Sequence, residues 1–511
     1  MRTKKIFLNI VCDILPYLLI GIVGLIKVKL LISCIGDIGN GYYQFINQVI
    51  AYVFLAQAGF SEAVIFKLYK PFADGKKDDI NSIYSGARKI MTRIALLILV
   101  IIIVVSVFLY LFYNFEVGYR DSAILCFFVI ASSYLIAYFG KTLCYGTVLA
   151  AAQDKYVYSL VLNIIKLLCD ILIIGAIVIF KNLICIAIVI LIVKIIEEIV
   201  MRIVVKKKYP WLKEVAKKDT SAVKMTKDLM WYQIGYLILN NVDAILLMTF
   251  VGPISVSIYT SYNFIMRFLN EITSRVYGSI IPSFGNVFVK EKEDKAYSLF
   301  NESLTLFIIL GFCVTLSFVV GIRSFVKVWI ADVDYLLSYV TVVLFGITLF
   351  LNILYYPLLS VITAKGLFKQ NKYHIFICAG INVVLSILLI GKYQINGILL
   401  GTAIALLVNI LLKSNLTVKS TFKDINIFKI LSKYFIAIIV FIISVWLLSF
   451  VESLLLSVVS GLVGCVLLIL LIFIVITALV FSIMYFIDSN TKELLLRIKS
   501  LIKGRRHSHG K

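Results

Sequence analysis

The chain has 511 residues, 62% of them hydrophobic, and a mean hydropathy of +1.03. Soluble domains contain roughly 45–50% apolar residues, so the composition excludes a soluble enzyme and indicates an integral membrane protein. The formal net charge of +23 does not indicate a nucleic-acid partner, because the cations cluster in alternate connections between apolar runs. The nine cysteines are dispersed without a CxxC pair and predict neither a disulfide framework nor a metal site.

Apolar runs recur along the whole chain, and each is long enough to cross about 30 Å of hydrocarbon as a helix. They predict an all-α polytopic membrane protein with about fourteen transmembrane helices. In chain order the predicted spans are 7–35, 41–66, 90–113, 122–149, 156–180, 183–204, 228–251, 255–284, 299–322, 336–363, 373–391, 395–416, 430–450 and 455–487.

The first two spans are predicted to form a hairpin within the stretch Lys27 to Lys70. Glycines at 36, 39 and 41 stand between them, and glycine permits the tight reversal that a chain needs at the edge of the hydrocarbon. We therefore expect a turn at 36–41.

The distribution of charge predicts the orientation of these spans. Basic residues concentrate in the connections 67–93, 201–227 and 413–433 and in the C-terminal tail, whereas the opposite side receives few cations. Positively charged connections face the cytoplasm, so both termini are predicted to be cytoplasmic.

An internal repeat appears when the sequence is compared with itself at an offset of 216 residues. The matching pairs are Gly36 with Gly252, Tyr43 with Tyr259, Asn47 with Asn263, and Gly175 with Gly391. Six spans in each copy predict two six-helix lobes related by a pseudo-twofold axis along the membrane normal, followed by two C-terminal helices. The predicted domains are an N-terminal lobe 1–205, a basic cytoplasmic linker and hinge 206–227, a C-terminal lobe 228–417, helices 13 and 14 at 418–489, and a basic amphipathic tail 490–511.

Charged residues inside the predicted spans are the candidate functional residues. Each costs roughly 2.5–3.5 kcal/mol if it faces lipid, so we expect them to face protein or water. Residues four apart share one face of a helix, which places charges in stripes at Arg267, Glu271 and Arg275, at Lys194, Glu198 and Arg202, and at Lys166 and Asp170. These stripes either line a cavity or neutralise one another at helix interfaces, and the cations near span ends can instead extend to the membrane surface. At the repeat offset Lys27 falls on Asp243, and the two are predicted to face one another as a gate.

The fourteen spans, the repeat, the opening IGDIGNGYYQFINQVIAYVFLAQAGFSEAVIFKLYKPFADG and its echo VGPISVSIYTSYNFIMRFLNEI resemble the bacterial polysaccharide flippases. These are also called oligosaccharide or O-antigen flippases, and belong to the multidrug, oligosaccharidyl-lipid and polysaccharide exporter superfamily. The resemblance implies two lobes around a central cavity. It also implies alternating-access translocation of undecaprenyl-pyrophosphate-linked oligosaccharide units across the bacterial cytoplasmic membrane, for cell-surface polysaccharide such as capsule or O-antigen.

Cationic side chains suit that substrate, because guanidinium and ammonium groups pair with a pyrophosphate in a medium of low dielectric. The candidate substrate-binding cations are Lys27, Arg267, Arg275, Lys166 and Lys194. The candidate gate or coupling carboxylates are Asp243, Glu271, Asp170, Glu62 and Asp13. The acidic residues keep two alternatives open, a multidrug or cation antiporter and a lipid II-type flippase of the same superfamily.

An enzymatic function is not expected. The sequence has only three histidines and no GxxxxGK[ST] phosphate-binding loop, which predicts neither a histidine metal cluster nor direct use of ATP. No cofactor is expected apart from a coupling H+ or Na+. The predicted partners are the lipid-linked oligosaccharide, membrane lipids, and a polysaccharide polymerase or glycosyltransferase of the same pathway.

Overall fold

The computed structural model describes residues 2–57, 59–221, 227–290, 293–422, 424–459, 461–487 and 491–492, without the side chains of 2–15, 56–57, 227–229, 289–290, 293 and 487. These residues form α-helices joined by short connections. In chain order the helices are α1 (Arg2–Val53), α2 (Phe60–Ala73), α3 (Lys77–Phe112), α4 (Arg120–Phe139), α5 (Thr142–Ala151), α6 (Lys155–Phe180), α7 (Leu183–Lys208), α8 (Lys227–Phe250), α9 (Pro253–Lys290), α10 (Glu293–Trp329), α11 (Tyr339–Leu354), α12 (Tyr356–Ala364), α13 (Phe368–Tyr393), α14 (Ile395–Thr421), α15 (Ile427–Val458) and α16 (Leu462–Ile487).

The predicted spans have helical counterparts throughout the described chain. Eleven helical segments of these residues are long and apolar enough to cross a membrane. A break at Gly36 divides the first of them into two, and the more polar helices α7 and α9 match the predicted spans 183–204 and 255–284. The protein is therefore an all-α multi-pass membrane protein, as predicted.

The glycine-rich turn expected at 36–41 is instead a break at one residue. Gly36 has φ 83° and ψ 169°, and the helix then continues through Gly39 and Gly41. Backbone angles of this kind are essentially restricted to glycine. The predicted second span, 41–66, is itself interrupted by the 3-10 helix Phe54–Gln57 before α2 begins.

Gly41 has a different role, which is close packing. A Cβ atom on this residue would overlap the backbone of Pro253, at the start of α9. Beside it, the buried Asn40 donates a hydrogen bond from Nδ2 to Ser257 Oγ at 2.7 Å. The first residues of α9 are thus held against α1.

The repeat is visible in the backbone at one of its matched glycine pairs. Gly252, which aligns with Gly36, also has a positive φ, of 124°. Both copies of the repeat therefore use glycine for a conformation that other residues rarely adopt. The pair Gly175 and Gly391 is different, because both lie inside helices with open space around the Cβ position.

The chain divides into two compact units, Met1–Ile258 and Tyr259–Lys511. In unit 1, α1 packs against α6 and α8, α4 against α3 and α7, and α2 against α5. In unit 2, α13 pairs with α14, and the largely buried α10 packs against α11, α15 and α16. α8 and Pro253 belong to unit 1 and contact α1. The predicted domain limits stay a prediction, and the tail helix at 490–511 lies, apart from Thr491 and Lys492, outside the described residues.

The described part of the predicted linker is docked on unit 1. The Val215 amide donates to Ser85 Oγ at 2.8 Å, and the Lys213 amide donates to the side-chain oxygen of Asn81 at 3.1 Å. The Asp219 amide donates to the Ser82 carbonyl at 3.1 Å. Because Asn81, Ser82 and Ser85 are buried on α3, the segment up to Asp219 is fixed to unit 1 and is not a free hinge.

Glu214 adds a charge contact to this docked segment. Its carboxylate lies 3.0 Å from Lys141 Nζ and 3.7 Å from Arg88 Nε. Partial burial would raise the pKa of Glu214, but the hydrogen bond from Lys141 and the charges of Lys141 and Arg88 outweigh it and lower the pKa. This contact is therefore fully present above the ordinary glutamate pKa and is lost as the pH falls through the lowered value.

Docking of the linker depends on glycine at position 86, because a Cβ atom there would overlap the backbone of Asp219. We expect Gly86→Ala to displace the segment and raise the rate of tryptic cleavage at Lys213, Lys217 and Lys218 about tenfold. The matched control is Gly175→Ala, which meets no atom within 4 Å. Equal cleavage rates in Gly86→Ala and the parent protein would contradict the docking.

Candidate functional site

Charged side chains from three helices of unit 1 form one group, here called the unit 1 charge cluster. Its members are Lys27 on α1, Lys166 and Asp170 on α6, and Lys194 and Glu197 on α7. Lys166 lies within electrostatic reach of both Lys27 and Lys194. With three cations and two carboxylates, the cluster has a formal charge of +1.

Lys27 and Asp170 make the closest ion pair of the cluster. Lys27 Nζ lies 2.5 Å from Asp170 Oδ1, and their side chains are 19% and 6% exposed. This pair joins α1 to α6. The predicted pairing of Lys27 with Asp243 is not the one in this structure, because Lys27 binds Asp170 and Asp243 is buried on α8.

The other two lysines of the cluster differ in how they are neutralised. Lys194 pairs with Glu197 at 2.7 Å and lies 4.9 Å from the centre of the Tyr134 ring. Lys166 is exposed, and among the described residues it makes no hydrogen bond and no ion pair. The excess positive charge of the cluster is therefore carried at its exposed edge by Lys166.

Glu198 does not take part in this cluster, although it was predicted to share a stripe with Lys194. Its carboxylate accepts hydrogen bonds from the amides of Lys141 and Thr142 and from Thr142 Oγ1, at 2.7–3.0 Å. Those amides belong to the start of α5, where a helix stabilises negative charge. Glu198 is thus a structural cap across helices, and Arg202 pairs with it at 3.3 Å.

Unit 2 carries the second predicted stripe, on α9. Arg275 Nη2 lies 3.6 Å from Glu271 Oε1, with the two side chains 24% and 49% exposed, and Arg267 is exposed two turns earlier. The stripe, like the unit 1 cluster, has one more cation than carboxylates.

Aromatic contacts fix the rotation of α9 within unit 2. Tyr356 on α12 donates to Asn270 Oδ1 at 3.1 Å, and the Tyr277 ring stacks on Tyr356 with centroids 5.0 Å apart. Since this face of α9 packs against α12, the charged stripe lies on another face. An exposed guanidinium on a membrane helix is costly against lipid, so we expect Arg267 to face water.

The remaining predicted carboxylates lie in unrelated places. Asp243 is 6% exposed on α8, and Glu62 is exposed in the first turn of α2. The side chain of Asp13 lies outside the described residues. The assignment of these carboxylates as gate or coupling residues stays a prediction.

One buried cation was missed by the sequence analysis. Lys413 on α14 is 1% exposed and donates a hydrogen bond to Asn409 Oδ1. Its place three residues before the predicted end of a span suggested a terminal lysine, whereas α14 continues to Thr421. A lysine two turns inside an apolar helix is the signal that could have identified it.

No family model and no curated protein matches the sequence. Among solved structures, the chain is similar to the lipid II flippase MurJ in an inward closed conformation, with a TM-score of 0.69 and 14% identity over 92% of this chain and 98% of that one. It is also similar to an inward-facing multidrug resistance MATE family transporter of the MOP superfamily, with a TM-score of 0.65 and 11% identity over 82% and 99% of the two chains. A mutant of the Vibrio cholerae MATE transporter VcmN gives a TM-score of 0.52 and 14% identity over 83% and 99%. The chain has the fold that these transporters and this flippase share.

The Lys27–Asp170 pair should contribute to stability, because removal of one partner leaves a partly buried charge without compensation. We expect Asp170→Asn to lower the free energy of unfolding by about 3 kcal/mol, and therefore to lower the melting temperature of the purified protein. The double variant Lys27→Met with Asp170→Leu should melt above Asp170→Asn, since it removes both charges. Glu62→Gln, at an exposed carboxylate, is the control. A parental melting temperature for Asp170→Asn would show that the pair does not stabilise the fold.

Proposed function

We propose that this protein is a flippase that moves undecaprenyl-pyrophosphate-linked oligosaccharide units from the cytoplasmic to the outer leaflet of a bacterial cytoplasmic membrane. The observation that carries the proposal is the excess of cations over carboxylates on the membrane helices of each unit. In unit 1 three lysines stand against two carboxylates, and on α9 of unit 2 Arg267 and Arg275 stand against the single carboxylate of Glu271.

The chemistry of the substrate favours these groups. A pyrophosphate brings at least two negative charges into a medium of low dielectric, where an opposite charge at about 4 Å interacts several times more strongly than in water. Guanidinium groups bind phosphate oxygens through two parallel hydrogen bonds, and lysine acts as a compact positive charge. Arg267 is exposed, and Arg275 lies 3.6 Å from Glu271; in the proposal both guanidinium groups exchange their present contacts for the anion.

Each residue has a defined part in the proposed cycle. Arg267 and Arg275 hold the pyrophosphate while the polyprenyl tail stays in lipid. Lys166 provides a second cation, and Lys27 and Lys194 exchange their carboxylate partners for phosphate oxygens when the substrate is present. Asp170, Glu197 and Glu271 then re-form the ion pairs when the substrate leaves, which keeps the empty transporter from holding uncompensated charges in the membrane.

Two other functions fit the same fold. The similarity to the lipid II flippase MurJ, with the highest coverage of the structures described above, supports a lipid II-type substrate, which presents the same pyrophosphate to the same cations. The buried carboxylate of Asp243 supports a cation-coupled antiporter. The oligosaccharide flippase is the preferred proposal because of the sequence resemblance. Under it, H+ or Na+ is the expected coupling ion, and a polymerase or glycosyltransferase is the expected partner.

The arginines of α9 provide the direct test. We expect Arg267→Ala and Arg275→Ala each to reduce the surface glycan of the producing strain about tenfold or more, because each removes a charge-assisted contact to phosphate. Arg267→Lys should retain more activity than Arg267→Ala, since it keeps the charge. Membrane levels of each variant serve as the control for expression. Normal surface glycan in both alanine variants would rule out an essential phosphate contact on α9.

A further inference from the structure

The helices α13 and α14 of unit 2 form a closely packed antiparallel pair whose register is set by two glycines of α14. A Cβ on Gly397 would overlap the Leu389 backbone, and a Cβ on Gly401 would meet Ser386. Continued along the two helices, the same register places Lys413 opposite His374 and Thr417 opposite Asn371. The electrostatic interaction of Lys413 with His374 agrees with this register.

Several polar side-chain atoms at this end of the interface between α13 and α14 are buried without a hydrogen-bond partner among the described residues. Asn371 is fully buried, and neither its amide nitrogen nor its oxygen has a hydrogen-bond partner among the described residues. Ser414 Oγ, Thr417 Oγ1 and His374 Nδ1 are likewise buried without partners there. Such groups are rare in native interiors, and one of them, His374, interacts electrostatically with the buried Lys413.

The charge of the region is positive. Lys413 has the Asn409 side chain and the Tyr355 ring, at 5.3 Å, as its neighbours, and neither is an anion. His374, which interacts electrostatically with Lys413, also lines an open pocket of about 420 Å3, together with Lys369 and Tyr373 of α13 and Asn415 and Lys419 of α14. No acidic side chain is part of this lining.

We propose that this pocket binds a phosphate group, carried either by the headgroup of an anionic lipid or by free phosphate. Lys369 and Lys419 supply the direct cations at the mouth, and Lys369 lies in the first turn of α13, where the helix dipole favours an anion. The buried charge of Lys413 adds to the potential behind His374. The end of the helix pair that contains the pocket is the predicted cytoplasmic one, where basic pockets between membrane helices meet anionic lipid.

The membrane surface argues for the lipid as the source. The Tyr373 ring is 60% exposed beside the pocket, as is common for aromatic side chains at the level of the headgroups. The site is separate from the charged stripe on α9, and the proposal does not depend on the proposed function.

The test uses the purified full chain and native mass spectrometry, with phosphatidylglycerol, phosphatidylcholine of the same acyl chains, and inorganic phosphate as probes. We expect preferential retention of phosphatidylglycerol, and an affinity about tenfold lower in the double variant Lys369→Gln with Lys419→Gln, since each lysine contributes to binding of an anionic surface. Lys372→Gln is the matched control, because Lys372 lies on the same turn over the Tyr373 ring and outside the pocket lining.

The outcomes separate the two sources. Phosphatidylglycerol binding that the double variant loses and the control keeps assigns the pocket to a lipid headgroup. Binding of inorganic phosphate alone, lost in the same variant, assigns it to the free anion. Equal binding of every probe by the parent and the double variant would overturn the proposal. The melting temperature of each variant, measured without probe, shows that a loss of binding is not a loss of folding.

Discussion

The cost of an uncompensated charge in hydrocarbon is the constraint on which this structure depends. Each charged side chain in a membrane helix must find an opposite charge, a backbone partner or water, because lipid offers none of these. Lys27 and Asp170 meet across two helices at 2.5 Å, and Glu198 is held by the amides at the start of α5. Lys166 and Arg267 are exposed at the surfaces of their own units, and by this constraint we expect those faces to border water.

This constraint also connects the fold with the proposed function. Arg323 and Glu452 of unit 2 form a one-to-one ion pair at 2.9 Å. The unit 1 cluster and the α9 stripe instead each contain one more cation than carboxylates. A substrate that carries a pyrophosphate would compensate that excess, and ion pairs that re-form after its release would keep the empty protein stable. The same physical reasoning applies to the pocket at the end of α13 and α14, where the buried Lys413 has no anion among its described neighbours.

Much of this arrangement could be predicted from sequence, because hydropathy and charge depend on composition and period. The spans, the all-α class and the pairing of Glu271 with Arg275 follow from apolar runs and from spacing by four residues. Lys27 with Asp170 could not be predicted in this way, since 143 positions separate them and the repeat pointed to Asp243 instead. Lys194 binds Glu197 because Glu198 is engaged by α5, and the break between α4 and α5 was hidden inside one predicted span, 122–149. The predicted turn at 36–41 was wrong because a single glycine, Gly36, is enough to break the helix. The other two glycines lie within the helix that follows.

The central claim is that the charged stripe on α9 faces water and contacts the substrate. Its accessibility to a water-soluble reagent is the most direct test. In a cysteine-free background, Arg267→Cys should react with a membrane-impermeant, charged thiol reagent, and added lipid-linked pyrophosphate should slow the reaction. Leu388→Cys, at an apolar position 71% exposed on α13, should remain unlabelled because it faces lipid. Labelling of Leu388→Cys but not Arg267→Cys would contradict the account, since it would place the arginine away from water and away from the substrate.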